Sequence, residues 1–209
     1  MKKKVVMIIC MVVMLITAIP VYAVSFSDIN GHWAYNNIIN LAGQGIVNGY
    51  EDGTFRPENM VTYGEFMKLV MCTYMPNNDF AKLSSSQHWA QGYVLVAEIR
   101  GLIPAGFVSL EKLDKPIDRL NMAKLLALVD KNLTSKDYKK TKELDFIDIG
   151  GLPTEYVEYL ERIVNKGYIQ GNPDKTFKPT DNLSRAEMVT ILTRIRGGGV
   201  WWIKERFLK

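Results

Sequence analysis

The side chains able to make or break bonds are few and poorly placed for it. The chain has two histidines, His32 and His88, each followed by Trp-Ala and standing 56 residues apart. That reads as one position in two copies of a unit rather than as a catalytic pair. There is no Gly-x-Ser-x-Gly, no His-Glu-x-x-His and no phosphate loop. Asp and Glu together number 22, so composition leaves open a carboxylate pair of the glycosidase type. The loops around Asp52 and Asp174 look like calcium loops but lack the carboxylate spacing of an EF-hand, and they read as turns. Cys72 falls on an expected helix as a small core residue. No enzyme, metal or cofactor is expected.

The N-terminus points to export. Lys2, Lys3 and Lys4 precede an apolar run from Val5 to Ile19, and Pro20-Val21-Tyr22-Ala23 closes it with small residues where a signal peptidase reads. Residues 1–23 are therefore expected to be a signal peptide, since the run is short for a membrane span of about 20 residues. The remaining 186 residues carry 23 basic against 22 acidic side chains, a net charge near +1. Nucleic-acid binding needs clustered, uncompensated Lys and Arg, so no nucleic-acid partner is expected. One cysteine remains, which leaves no intrachain disulfide, and the fold must rest on packing.

What positions the remaining candidates is an internal repeat. A shift of 56 residues lays His32-Trp33-Ala34 on His88-Trp89-Ala90, Gly45 on Gly101, Thr62 on Asp118 and Lys68 on Lys124. A shift of 122 lays Gly45 on Gly167, Gly49 on Gly171, Thr54-Phe55 on Thr176-Phe177, Pro57 on Pro179, Thr62 on Ser184 and Glu65 on Glu187. Each unit reads as helix, loop, helix. The first helix ends at Gly45, Gly101 or Gly167, placed to take a left-handed cap. The second begins with a capping box, Thr62-x-x-Glu65 or Ser184-x-x-Glu187, or with Asp118 and the weaker partner Asn121. Behind each cap runs an apolar stripe: Phe66, Leu69, Val70; Met122, Leu125, Leu126, Val129; Met188, Ile191, Leu192, Ile195. Three equivalent amphipathic helices predict a mainly α fold, with three helix-loop-helix repeats in pseudo-threefold arrangement around a central three-helix bundle. The divisions are 24–76, 77–132 with a degenerate loop, a polar lysine-rich linker over 133–143, 144–196, and a tail over 197–209.

These residues resemble the S-layer homology family, whose repeat opens F-x-D-x-x-x-H-W-A, continues G-I-x-x-G and D-G-T-F-x-P, and ends T-R-A-E-F/M. Repeat 1 supplies Phe26, Asp28, His32-Trp33-Ala34, Gly45-Ile46, Gly49, Asp52-Gly53-Thr54-Phe55 and Pro57. Repeat 3 supplies Phe146, Asp148, Gly167, Gly171, Thr176-Phe177, Pro179 and Ser184-Arg185-Ala186-Glu187. The resemblance implies a three-lobed spindle of three repeats around the central bundle, whose grooves hold secondary cell-wall polysaccharide, often capped by a pyruvylated sugar. It implies a secreted protein at a bacterial cell wall or S-layer, anchored without covalent attachment.

The residues fit such a ligand chemically. Arg119 and Arg185 stand at the arginine of T-R-A-E. A guanidinium is a planar, permanently charged fork for a carboxylate, and the first turn of a helix sets it beside N–H groups that also favour anions. Trp33 and Trp89 either cover a sugar face or pack between lobes. Asp28 and Asp148 either touch ligand or brace a helix entry, and His32 and His88 read as structural. Thr62, Glu65, Asp118, Ser184 and Glu187 are capping residues first, with Ser184 also near the ligand set.

The departures reduce the count of grooves. Repeat 1 has Tyr63-Gly64 for Arg-Ala, with Tyr63 counted among the ligand candidates in the arginine's place, and repeat 2 has lost the Gly-Thr-Phe-x-Pro pattern between Phe107 and Lys115. Repeat 3 lacks His-Trp, with Tyr156 as a stand-in. Up to two unequal grooves are expected, centred on Arg119 and Arg185. The tail follows Gly197-Gly198-Gly199, and residues 200–209 are aromatic and basic. The alternative function is therefore a structural or adaptor protein of the envelope that recruits a protein partner through that tail.

Overall fold

A computed structural model describes residues 24–76, 87–134 and 138–197 of the chain. The expected signal segment and residues 198–209 of the tail lie outside the described residues, as do 77–86 and 135–137. The fold is mainly α. Among the described residues the helices are α1 Tyr35–Gly43, α2 Tyr63–Tyr74, α3 Gln91–Ile99, α4 Arg119–Thr134, α5 Thr154–Asn165 and α6 Arg185–Gly197, with a 3₁₀ turn at Leu110–Lys112. Among the described residues, no helix is long and apolar enough to cross a membrane.

Local chemistry sets the helix ends. After α1, Gly45 takes φ 69°. Its N–H reaches Ala42 O while Ile46 N–H reaches Leu41 O, both at 2.9 Å, the paired closure that a left-handed residue permits. Gly101 and Gly167 repeat it at φ 65° and 74°. At the start of α2, Thr62 Oγ1 accepts from Glu65 N–H at 3.2 Å and Glu65 Oε2 accepts from Thr62 N–H at 2.9 Å. Ser184 and Glu187 make the same reciprocal pair. Asp118 accepts from both the backbone N–H and the side-chain amide of Asn121 at 2.7 Å.

The first N–H groups of a helix have no partner inside it, and here they find one in another repeat. Tyr63 and Gly64 donate to Lys115 O and Leu113 O. Arg119 and Leu120 donate to Asp181 O and Pro179 O, and Arg185 and Ala186 to Asn59 O and Pro57 O. Repeat 1 thus hands its helix donors to repeat 2, repeat 2 to repeat 3, and repeat 3 to repeat 1. Equivalent positions also close a triangle: Val61 N–H to Leu183 O, Leu183 N–H to Ile117 O, and Ile117 N–H to Val61 O, at 2.8 to 2.9 Å.

Helix packing follows the same cycle. The first helix of each unit packs on the second helix of the preceding one: α3 on α2, α5 on α4, α1 on α6. Helix α2 also touches α4 and α6. The apolar stripes fill this centre, with Phe66, Val70, Met122, Leu125, Leu126, Val129 and Leu192 fully buried. Phe55 and Phe177 plug the loops below them and lie against Phe26 and Phe146.

A carboxylate sits inside. Asp130 is 0% exposed. It pairs with Arg162 at 2.7 Å and Lys166 at 2.8 Å, and accepts from the hydroxyls of Tyr74 and Tyr168 at 3.1 and 3.2 Å. Its partners come from repeats 1 and 3. The lysine-rich joining segment is exposed over residues 139–143, and its backbone is nonetheless tied down. Thr141 and Lys142 donate their N–H groups to Asn165 Oδ1 at 2.6 and 2.8 Å, and Lys140 pairs with Glu161 at 2.8 Å. Helix α5 therefore holds residues 138–142 of the expected linker along its side, and α4 occupies 133–134.

Candidate functional site

The two arginines begin α4 and α6, one residue after their caps. That position aims each side chain at the loop of the next repeat. Arg119 Nε donates to Phe177 O at 2.7 Å, and Arg185 Nε donates to Phe55 O at 3.0 Å. Each guanidinium also lies over the ring of that phenylalanine, at 5.1 and 4.5 Å. Both arginines are thus clamps between repeats before they are anything else. The N–H groups expected beside them for an anion are committed to carbonyls of the neighbouring loop, so they are not open to an anion.

Beyond that shared bond the two differ. Arg119 is 7% exposed, and its Nη1 is drawn into an ion pair with Glu187 Oε1. Glu187 thus serves twice, with Oε2 on the Ser184 N–H and Oε1 on Arg119. Arg185 is half-buried and has no carboxylate within ion-pair distance among the described residues. Its Nη2 donates to Asn48 O at 3.0 Å and its guanidinium lies 5.2 Å from the Tyr50 ring. The other face of this corner is Arg56, stacked 3.8 Å from Tyr50 and paired with Asp52 at 2.9 Å. A cleft opens beside Arg185, lined by Val47, Phe55, Val61, Glu65, Leu69 and Met188. In repeat 1 the matching position is Tyr63. It is buried, and burial pushes its phenol up to about 12, with the Asp118 charge adding to the shift.

Trp33 and Trp89 are 63% and 49% exposed, so neither is a core residue. Lys68 Nζ stands 5.8 Å over Trp89. At the equivalent place in the next junction Lys124 Nζ is enclosed by Phe107 at 4.7 Å, Tyr156 at 4.6 Å and Tyr159 at 5.7 Å, with Glu155 at 3.8 Å. Tyr156 thus holds a lysine of its own chain. The histidines are structural: His32 Nδ1 accepts from Ala34 N–H at 3.1 Å, which leaves the proton on Nε2, facing Glu58 Oε1 at 2.8 Å. His88 repeats this with Ala90 and Asp114.

The aspartates brace loops. Asp28 accepts from Phe55 N–H at 2.8 Å and Arg56 N–H at 2.7 Å, and Asp148 does the same with Phe177 and Lys178. Arg56 and Lys178 both sit at φ 56°, a left-handed conformation uncommon for non-glycine residues. Partial burial works to raise each aspartate's pKa, but the backbone donors together outweigh it and hold both below the ordinary carboxylate value. Asp52 falls further, to about 2, under the Thr54 hydroxyl, Arg56 and the Thr54 N–H. All these carboxylates face protein donors, and no group of metal-ligand type occurs among the described residues.

Several contributors escaped the motif reading. Glu58 and Asp114 lie 56 apart, as do Lys68 and Lys124, so the shift itself marked them. Tyr50, Asn48 and the second role of Glu187 carried no such mark.

Comparison with known proteins bears on the same segments. A family model described as S-layer homology domain matches residues 25–67 and 145–189. A cellulosome-anchoring protein of Acetivibrio thermocellus is 32% identical over 160 residues, covering 70% of this chain and 34% of that protein. Cell surface glycoprotein 1 of the same organism is 29% identical over 163 residues, 70% of this chain and 7% of the relative. An uncharacterized cell wall amidase of Bacillus anthracis is 28% identical over 182 residues, 81% of this chain and 32% of the relative. The chain thus spans about a third or less of the length of these relatives.

Proposed function

Because the chain belongs to the S-layer homology family, we propose that it is a non-catalytic anchor. It binds an acidic, pyruvylated secondary wall polysaccharide at the outer face of a bacterial cell. The observation that carries this reading is Arg185. It is a permanent cation with no carboxylate partner among the described residues, held over Phe55 and Tyr50 at the edge of an apolar cleft. A guanidinium with a free edge takes a carboxylate in two parallel hydrogen bonds. The apolar wall beside it suits the methyl of a pyruvate ketal or the C–H face of a sugar.

Other observations support the same reading. Both histidines are tied to backbone and to an exposed carboxylate, which leaves neither as a base for chemistry. The relatives' names include an anchoring protein and a cell surface glycoprotein. The amidase shares this region over only a third of its length, so its catalytic name is compatible with a separate domain. Trp33, exposed at the entry to α1, which packs on α6, is a second contact for sugar.

The test is sedimentation of the purified chain with cell walls, intact and stripped of secondary polysaccharide. Binding to intact walls alone is expected. Arg185→Ala is expected to weaken it by about 10- to 100-fold, the loss of a hydrogen-bonded charge pair worth about 1.5–3 kcal/mol. Equal binding to stripped walls would overturn the polysaccharide reading.

A further inference from the structure

The three junctions are copies of one arrangement, and they differ at the place where a ligand acid would sit. At the second junction Arg119 binds the loop carbonyl through Nε and Glu187 through Nη1. Glu187 is therefore where a bound carboxylate would be, supplied by the chain itself. At the third junction the equivalent glutamate is Glu65. Its Oε2 caps Thr62, it forms no ion pair with Arg185, and both line the open cleft. At the first junction the arginine is replaced by buried Tyr63, and the glutamate by Asn121, whose amide is spent on Asp118.

We infer that the chain carries one ligand-accepting cleft, at the seam where its third repeat meets its first, and that the second junction is a self-occupied copy filled by Glu187. This rests on the polysaccharide reading and narrows it. The self-occupied copy is sealed a second time from the repeat 3 side. Lys124 fills the aromatic enclosure of Phe107, Tyr156 and Tyr159, leaving no exposed tryptophan there comparable to Trp33 or Trp89. The open cleft also selects its ligand by two groups of opposite kind. Arg185 suits an acid, and Glu65, whose Oε2 is spent on its cap, has a second oxygen able to accept from a donor such as a sugar hydroxyl. An acidic sugar with a neighbouring hydroxyl satisfies both. Since Arg185 and Phe55 lie 130 positions apart, a ligand held there bridges the two terminal repeats and stabilises the closed ring.

The test is calorimetric titration of the chain with a methyl glycoside bearing a pyruvate ketal. One site per chain is expected. Arg185→Gln is expected to lower affinity at least tenfold. The double variant Arg119→Met with Glu187→Gln replaces the buried pair by neutral groups and keeps a capping side chain. It is expected to bind as the parent does, within about threefold. Glu187→Gln alone frees Arg119 of its partner and is expected to add a second, weaker uptake. Circular dichroism of each variant separates lost binding from lost fold. Two sites in the parent chain, or loss of binding in a folded double variant, would overturn the single-cleft inference while leaving the polysaccharide reading intact. A single site in Glu187→Gln would overturn Glu187 as the occupant. No uptake by the parent chain would overturn both readings.

Discussion

At the scale of single residues, one side-chain type in one repeat position performs different work according to its partner. Arg119 and Arg185 share the bond to a phenylalanine carbonyl and differ beyond it: Arg119 is buried in an ion pair with Glu187, while Arg185 is half-buried and donates to Asn48 O. A motif names the position and says nothing of whether a glutamate 68 residues away has claimed the fork. The aspartates give the opposite lesson, because Asp28 and Asp148 do the same thing in both copies. Each carboxylate holds two backbone N–H groups and so has a pKa below its ordinary value. A carboxylate whose folded pKa is depressed contributes its full stability above the unfolded value, about 3.9, and loses it as pH falls through the lower folded value. The chain should therefore keep a level urea midpoint from pH 7 to about 5 and lose stability progressively below pH 4. Asp28→Asn offers one acceptor oxygen to two donors. Its midpoint should be lower than the parent's at pH 7, and the gap should narrow toward pH 2, where the parent's carboxylate is also protonated. A gap that stays constant across the range would show that the charge on Asp28 plays no part.

At the scale of elements, the starts of α2, α4 and α6 carry the architecture. Each start uses its cap for one orphan donor and the next repeat's loop for two more. Close approach is needed for this, and at Gly64 it leaves no room for the alanine of Arg-Ala. A Cβ on Gly64 would stand 2.9 Å from Ala90 Cβ and 3.1 Å from Leu113 O, both fixed parts of repeat 2. Gly64→Ala should cost about 1–3 kcal/mol of stability by overpacking, read as a lowered melting temperature. A neutral result would show that the α2–α3 contact yields. The capping boxes, the closing glycines and the apolar stripes were all legible in the sequence, because each depends on residues within one helix length. The exchange of helices between repeats was not legible. A unit that reads helix, loop, helix has the same periodicity whether its two helices pack on each other or each on a neighbour. Likewise the composition of the exposed joining segment gives no sign that Asn165, over twenty residues away, holds the backbone of Thr141 and Lys142.

At the scale of the molecule, the cycle means that no repeat owns its own stability. The 61–117–183 triangle and the crossed helix pairs leave each unit with donors and an apolar face that only its neighbours satisfy. That differs from a linear array, in which terminal units fray independently. Asp130 is where this can be tested. It lies on α4 of repeat 2, fully buried, and is hydrogen-bonded to Tyr74 of repeat 1 and to Tyr168, Arg162 and Lys166 of repeat 3. Removing one partner of a buried ion pair leaves the other uncompensated, a loss of about 3–5 kcal/mol, which is a large part of the about 5–15 kcal/mol that holds a typical domain folded. Asp130→Asn keeps the shape and leaves Arg162 and Lys166 without their anion. Denaturant unfolding of the parent should be one transition, coincident by circular dichroism and by hydrogen exchange in α2, α4 and α6. In the variant all three helices should lose protection together at a lower midpoint. If only α4 and α5 lost protection while α2 and α6 held theirs, the repeats would be separable units, and the seam between the third and the first would not depend on the centre.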